Sequence, residues 1–374
     1  MVERTIQFDD CLGVEARKEW DVYWAASAHS APRQNASYGD VESSNNRRAV
    51  YVTGRKNGEL AFLGLYGLTP FLWRNTYSEA VCLRGPVFDD IEFGKWCLAE
   101  VLKFFSNKRV GQVRIGPRWI FPEAEEVESM LFDLGFKVFE RHNPLGRRST
   151  GLVSIGRDDE QLLASFSGYT RRQVRFARRL GIKIIEATSD QQAEEFFVNI
   201  KKMYNKKALG NISRRDFFPV FEQVLKNRQV GVLLNAYSDS AYLGGLYLTR
   251  DGHAVYAYQL VVTDQANQKH PTLRLAPALF FHGMRWGREH GCSVMDLEGY
   301  SADIKGAGQL ALVYLYKQGF RPSEVKSLGQ YVAVIRPTIW SIYKLGRTWP
   351  ALMQKPRRAI ARLKAFYKKM RTVG

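Results

Sequence analysis

The sequence predicts an α/β fold, with α+β character, built from two tandem units of mixed sheet flanked by helices and followed by a basic C-terminal helix. Three observations carry that prediction. One order of patterns, apolar helix, short strand, second helix and an aromatic-x-x-Gly-Phe ending, occurs twice about 180 residues apart. A length of 374 residues with 45% apolar and 13% aromatic side chains is enough for two cores of ordinary domain size. The charge is also confined: 325–374 holds no acidic residue and contributes +12 of the net +18.

In the first unit, apolar residues at helical spacing cover 93–105 and lead to the strand pattern Gln112-Val-Arg-Ile115. Glu- and Leu-rich helix residues follow and close on Phe132-Asp-Leu-Gly-Phe136. In the second unit, 279–289 leads to Cys292-Ser-Val-Met-Asp296 and then to a helix ending Tyr316-Lys-Gln-Gly-Phe320. Phe132 and Tyr316, Gly135 and Gly319, and Phe136 and Phe320 share an offset of 184 residues. Asp133 becomes Lys317, and this change of charge marks the second copy as the place to look for function. The first unit is expected to span 1–155, with 327–345 free to return to it, the second 156–326, and the basic helix 346–374.

Several function classes lose support. No apolar run approaches the ~20 residues of a membrane span, and no secretory signal pattern opens the chain. Cys11, Cys82, Cys97 and Cys292 lack metal-ligand spacing and read as reduced cytosolic thiols. The six histidines are dispersed. Nucleophile elbows, zinc helices, Walker loops and dinucleotide fingerprints are absent, which argues against hydrolase, zinc and nucleotide-hydrolysing chemistry.

Two basic elements remain. In 167–181, Thr170 reads as an N-cap and Gly181 as a C′ residue of a short helix. Arg171, Arg172, Arg175, Arg178 and Arg179 fall within an arc of about 120° on that helix. Five guanidiniums on one stripe repel each other unless solvated or neutralised by phosphates of a ligand or nucleic acid. In 356–371, Ile360, Leu363, Phe366, Tyr367 and Met370 oppose Arg357, Arg358, Arg362, Lys368 and Lys369. An anionic membrane surface, the protein's own domain or RNA would each satisfy this amphipathic pattern.

Chemistry concentrates after the second-unit strand. Asp296-Leu-Glu298-Gly-Tyr300 places carboxylates and a phenol where strand gives way to loop, the usual location of ligand contacts in α/β sheets. Glu298 is a candidate general base if partly buried, and otherwise a solvated loop residue. The Gly-rich loop Lys305-Gly-Ala-Gly308 could cradle an anion through its N–H groups or serve as a simple turn.

The segments Val81-Cys-Leu-Arg-Gly-Pro-Val-Phe-Asp-Asp90, 170–181, Asp296-Leu-Glu-Gly299 and Tyr316-Lys-Gln-Gly-Phe320 occur in the order that resembles the FemABX family of peptidyltransferases. The likeness covers about 15–345 and implies two acetyltransferase-like (GNAT-type) domains, in the compact form without a coiled-coil arm. It implies transfer of an amino acid from aminoacyl-tRNA to an amine of a cell-wall precursor peptide, without metal or redox cofactor. Such an enzyme would be cytoplasmic, working at the inner face of the plasma membrane on a nucleotide- or lipid-linked acceptor, with the C-terminal helix on anionic lipid.

The resemblance also implies roles for residues. Lys317 is the leading catalytic candidate, its ammonium set against a tetrahedral oxyanion, with Tyr316 stacking on the terminal adenosine of tRNA; Glu298, read from its place after the strand and not from the resemblance, is the second candidate. Arg214 or Arg215 matches a family arginine associated with the precursor's phosphates, and Tyr256 and Tyr258 match a strand facing the acceptor cleft. The arginine stripe of 171–179 is the candidate tRNA or phosphate contact. Gly116-Pro117 stands where the family usually shows Asp-Pro, and Ser37-Tyr-Gly-Asp-Val-Glu42 carries an acid where an acceptor-binding lysine is usual, so the acceptor can differ from the usual muropeptide. The alternative is an acyltransferase that takes its donor from coenzyme A or a carrier protein and acts on a sugar or polysaccharide precursor. Against it, His270-Pro-Thr-Leu-Arg-Leu-Ala-Pro277 has two prolines and no glycine where a pyrophosphate loop would lie. A non-catalytic RNA- or membrane-binding module would explain the charge but not Lys317.

Overall fold

The computed structural model of the chain describes residues 2–45, 47–70, 77–139, 149–207, 210–226, 230–303 and 311–341. The loop 305–308 and the basic helix expected over 346–374 lie outside these residues.

One sheet collects β1 (Arg4–Asp9), β2 (Arg48–Lys56), β3 (Glu59–Pro70), β4 (Ser78–Cys82), β5 (Val87–Phe88), β6 (Val110–Ile115), β7 (Lys137–Val138) and the last strand, β15 (Tyr331–Val334). Its order is β1-β2-β3-β4-β6-β15-β7, with β5 beside β3. The other sheet holds β8 (Ser149–Ser154), β9 (Lys183–Glu186), β10 (Gly231–Ser238), β11 (Ala241–Arg250), β12 (Ala254–Val262), β13 (Val294–Asp296) and β14 (Ser323–Lys326) in the order β14-β8-β13-β12-β11-β10-β9. The strand β8 lies before the expected boundary at 155, yet it pairs with β13 and β14 of the second sheet. Strand β15, within the stretch 327–345, pairs with β6 and β7 of the first.

Among the described residues each sheet has one parallel pair, β4 with β6 and β12 with β13. Parallel neighbours cannot be joined by a tight hairpin, so a crossover helix intervenes. In the first unit this is α3 (Ile91–Ser106), where the Asp90 carboxylate accepts the Phe93 N–H at 2.9 Å and Phe93, Cys97, Leu98, Val101 and Phe105 form the buried stripe. In the second it is α10 (Ala276–Glu289), opened by Pro277 and buried along Leu279, Phe280, Met284 and Trp286. The helices α4 (Ala124–Asp133) and α11 (Ala311–Gln318) follow β6 and β13. The repeated sequence pattern is therefore the parallel junction itself, present once in each sheet.

The two matched glycines serve different ends. Gly135 has φ +80° with open space around it, the left-handed position past a helix end. A Cβ on Gly319 would sit 2.3 Å from Thr170 Oγ1, so there glycine permits close approach of α6 (Gly168–Arg179) to the end of α11. This contact also explains why Thr170 does not cap α6: its hydroxyl is buried against Gly319, and Ser167 is the N-cap, accepting the Thr170 N–H at 3.2 Å. Gly181 follows the helix with φ +66°, as expected.

Each sheet has its own core, and a third apolar cluster joins the units. Trp20 and Trp24 of α1 (Val14–Ala26), Tyr38 of α2 (Ser37–Ser44) and Leu63 of β3 pack with Phe196 of α7 (Asp190–Lys206), Phe217 of α8 (Arg214–Val220), Leu233 of β10 and Tyr247 of β11. Each fully buried large side chain of this kind contributes roughly 1.5–3 kcal/mol. The units are thus welded by core packing rather than joined by a hinge. Among the described residues, no helix is long and apolar enough to cross a membrane.

Candidate functional site

The site forms where the parallel junction of the second sheet meets the first unit. Asp296 ends β13, opposite Tyr256 on β12 and Leu152 on β8, and is buried. Its Oδ1 accepts the Thr150 hydroxyl and, at 2.7 Å, the Glu298 N–H, which turns the chain sharply after the strand. Glu298 adopts φ +55° and Gly299 φ +46°. For a side chain with a Cβ that left-handed conformation costs about 1–2 kcal/mol, and surrounding contacts must hold it.

The turn aims two carbonyls at α11. Lys317 Nζ donates to Glu298 O and, at 2.9 Å, to Gly299 O. Burial pulls the Lys317 ammonium down to about 8, against the opposing pull of the Glu298 and Asp296 carboxylates. Asp296 is pushed above the usual carboxylate range by burial first and then by the Glu298 charge, while Arg118 and Arg84 pull the other way. The arrangement is a partly dry ammonium, two of whose three N–H groups are spent on fixed carbonyls.

Arg84 and Arg118 of the first unit reach this junction, and Arg33 reaches β12 further along. Arg84, at φ +58° two residues past the end of β4, forms an ion pair with Glu298. Arg118 donates to Asp251 Oδ2 at 3.0 Å and to Ser30 O at 3.3 Å, and its guanidinium stands 4.9 Å over the Tyr256 ring. Arg33, in the turn Pro32–Gln34, donates to the Tyr258 hydroxyl at 2.7 Å and stands 4.6 Å over the Tyr38 ring. The sequence signal for these was slight. Arg84 sits in a recognised segment, but its partner is 214 positions away and nothing in the local pattern of either residue announces the pairing.

The expected site residues divide. Lys317, Glu298 and Tyr256 come together around the junction, and Tyr258 lies further along β12 beside Arg33 and Tyr247. Tyr256 is fully buried with its hydroxyl on Asp251, whereas Tyr258 is exposed because a bulge in β12 makes it the extra residue between the Leu248–Ala257 and Tyr247–Gln259 pairs. Tyr316, expected to present its ring to an adenosine, instead packs edge-on against Phe280 and Phe320, at centroid distances of 5.7 Å and 5.5 Å. Its ring points into the second core because that side of α11 faces α10.

Arg214 and Arg215 lie apart from the Lys317 group: Arg214 pairs with Glu194 and covers the Phe218 ring at 4.3 Å, and Arg215 donates to Asn45 O. The arginine stripe of α6 is partly neutralised by its own unit, since Arg175 pairs with Glu160 at 3.5 Å and Arg178 with Asp159 at 3.8 Å. Among the described residues, Arg171, Arg172 and Arg179 have no acidic partner. Beside them the Gln173 side chain clips the loop before α10, accepting the Arg274 N–H at 2.7 Å and donating to Thr272 O at 3.5 Å. The Leu273 N–H is spent on His270 O at 3.0 Å. This loop, where a pyrophosphate cradle would lie, has few N–H groups to offer a ligand. No group of acids, histidines and cysteines that could hold a metal occurs among the described residues.

The acetyltransferase (GNAT) domain family model matches 164–307, the stretch from the end of α5 (Asp159–Ser165) to the loop after β13. The crystal structure of FemX superposes with a TM-score of 0.73 at 15% identity, over 90% of this chain and 99% of that one. A conserved protein of unknown function from Bacteroides thetaiotaomicron gives a TM-score of 0.55 at 11% identity, over 88% of this chain and 99% of that one. A tandem GNAT protein from the clavulanic acid biosynthesis pathway gives 0.51 at 11% identity, over 90% and 99%. No curated protein matches the sequence. The chain has the FemX-like tandem GNAT fold along nearly its whole length.

Proposed function

We propose that this FemX-like tandem GNAT protein is an acyltransferase that moves an amino acid from aminoacyl-tRNA to an amine of a peptidoglycan precursor peptide. The observation that carries the reading is Lys317: a partly buried ammonium held by two carbonyls, whose third N–H has no acceptor among the described residues. The acceptor amine attacks the ester carbonyl, the C–N bond forms, and the tetrahedral carbon bears an oxyanion. An ammonium fixed beforehand stabilises that charge without reorganising, an effect worth several kcal/mol when the geometry is right. Collapse of the intermediate breaks the C–O bond to the ribose, and the proton lost by the amine matches the one the leaving hydroxyl gains. A lysine near 8 is mostly charged at neutral pH, yet close enough to take part in that proton transfer.

The donor choice rests on two features. The clipped loop before α10 leaves little backbone to hold a coenzyme A pyrophosphate, while Arg171, Arg172 and Arg179, which have no acidic partner among the described residues, lie on the helix that Gln173 ties to it. Membrane association through 346–374 belongs to the same reading, since a lipid-linked acceptor would lie at the inner membrane face. The test is a transfer assay with purified protein, a nucleotide-linked precursor peptide, and either charged tRNA or a set of acyl-coenzyme A donors, with products read by mass spectrometry. A peptide extended by one residue from tRNA alone supports the reading, and acylation from coenzyme A alone overturns it.

A further inference from the structure

We propose that Arg84, contributed by the first unit, is a positioning residue for the second: it clamps Glu298 across the junction and so fixes the turn whose carbonyls seat Lys317. The inference rests on the reading of Lys317 as the reactive group and adds a dependence of that group on the other half of the molecule.

Both ends of the clamp are held in a conformation that side chains rarely adopt, Arg84 at φ +58° and Glu298 at φ +55°. Such conformations persist where surrounding contacts over-determine them. The backbone on either side of Arg84 is bolted down. Leu83 O accepts Gln34 Nε2 at 2.7 Å, and Gly85 O accepts the Gly116 N–H at 2.8 Å. Gly85 itself has no room for a Cβ, which would meet the Gln34 side chain at 2.4 Å. The guanidinium is therefore presented from a rigid base.

At the other end, the Glu298 N–H is fixed by Asp296 and its carbonyl by Lys317. Among the described residues, the ion pair to its carboxylate comes from Arg84 alone. That pair does two things. It tethers the turn to the first unit, and it offsets the charge of a carboxylate standing beside the buried Asp296. Among the described residues, the charged groups acting on Lys317 are the Glu298 and Asp296 carboxylates, and the cations acting on Asp296 are Arg118 and Arg84. Removing Arg84 exposes Lys317 to an unscreened Glu298 and makes it hold its proton more tightly. Neutralising Glu298 does the reverse.

These opposite directions separate positioning from general loosening of the fold, which would admit water and move Lys317 upward in both variants. The experiment is competitive acetylation of the full-length protein with acetic anhydride across pH 6–11, with Lys317 modification read by mass spectrometry against the other lysines. It needs neither donor nor acceptor, so it can fail while the transfer reading stands, and the reverse. The variants are Arg84→Met, Glu298→Gln and the pair together, with Arg84→Gln standing in should Arg84→Met not fold. The Lys317 titration is expected to move up by about half a pH unit in Arg84→Met and down by a similar amount in Glu298→Gln, from charge removal at a partly screened site. In the Glu298→Gln background the Arg84 replacement should change little, because its partner is already neutral. An unmoved Lys317 profile in Arg84→Met, or an equal shift with and without Glu298, overturns the proposal.

Discussion

Replacing Asp251 with alanine should unfasten the two units. The carboxylate is 0% exposed and satisfies four donors: the His253 and Ala254 N–H groups at 2.7 Å each, the Tyr256 hydroxyl, and Arg118 at 3.0 Å. Its guanidinium partner is only 12% exposed. Alanine leaves that charge buried and unpaired, a loss of about 3–5 kcal/mol in comparable sites. Each stranded N–H or hydroxyl adds roughly 1–3 kcal/mol, less whatever water recovers by entering. The sum is not additive, so about 3 kcal/mol is the floor. Arg118→Met should cost less, because Asp251 keeps its three other donors, and the double replacement should cost less than the two singles combined. Urea unfolding followed by tryptophan fluorescence measures these losses, and a single transition is expected in the parent protein because the units share a core. A loss below about 1 kcal/mol for Asp251→Ala would mean that water reaches the junction and that the welded arrangement is wrong.

Other outcomes follow from the same geometry. Lys317→Met should lower transfer about 10²–10³-fold with little change in fold. In the parent, activity should fall as pH rises through about 8, where the ammonium is lost. A lysine lowered from 10.5 to about 8 costs stability while it is charged, so the parent's stability should rise relative to Lys317→Met between those pH values, by up to about 3 kcal/mol. Gly319→Ala should be more damaging than Gly135→Ala: the first Cβ meets Thr170 Oγ1 at 2.3 Å, while the second meets only a strained φ, which costs about 1–2 kcal/mol. Melting temperatures of the two variants decide the order. Replacing Arg171, Arg172 and Arg179 by glutamine should reduce the slope of log affinity for tRNA against log salt by about 2 to 3.

Much of the fold was legible because a repeat carries its own confirmation. The helix expected over 93–105 is Ile91–Ser106, the strand expected at Gln112 to Ile115 is Val110–Ile115, and the helix over 279–289 is Ala276–Glu289. Period and chain order suffice for these. The N-cap of the arginine helix was misplaced because Ser167 and Thr170 are both good caps, and only the contact with Gly319 decides between them. The packing of the Tyr316 ring is not legible for a related reason: a helix has one side against its core, and sequence alone does not say whether an aromatic beside Lys317 lies there. Glu298 could be singled out by its place after a strand end, and Lys317 by the change of charge from Asp133 between the repeats. Their seating could not, because it depends on the left-handed turn at 298–299 and on an arginine from the other half of the chain. Arg118 and Asp251, 133 positions apart, are invisible to any local pattern for the same reason.

Binding of charged tRNA at near-physiological salt, with and without its 3′-terminal CCA and alongside a thermal shift with coenzyme A, tests the central claim most directly. Tight binding that requires the CCA end, with no stabilisation by coenzyme A, is the result predicted for an enzyme that takes its acyl group from tRNA. Binding only at low salt and regardless of the 3′ end, with coenzyme A raising the melting temperature, would reduce the basic surface to a nonspecific footprint and contradict the account.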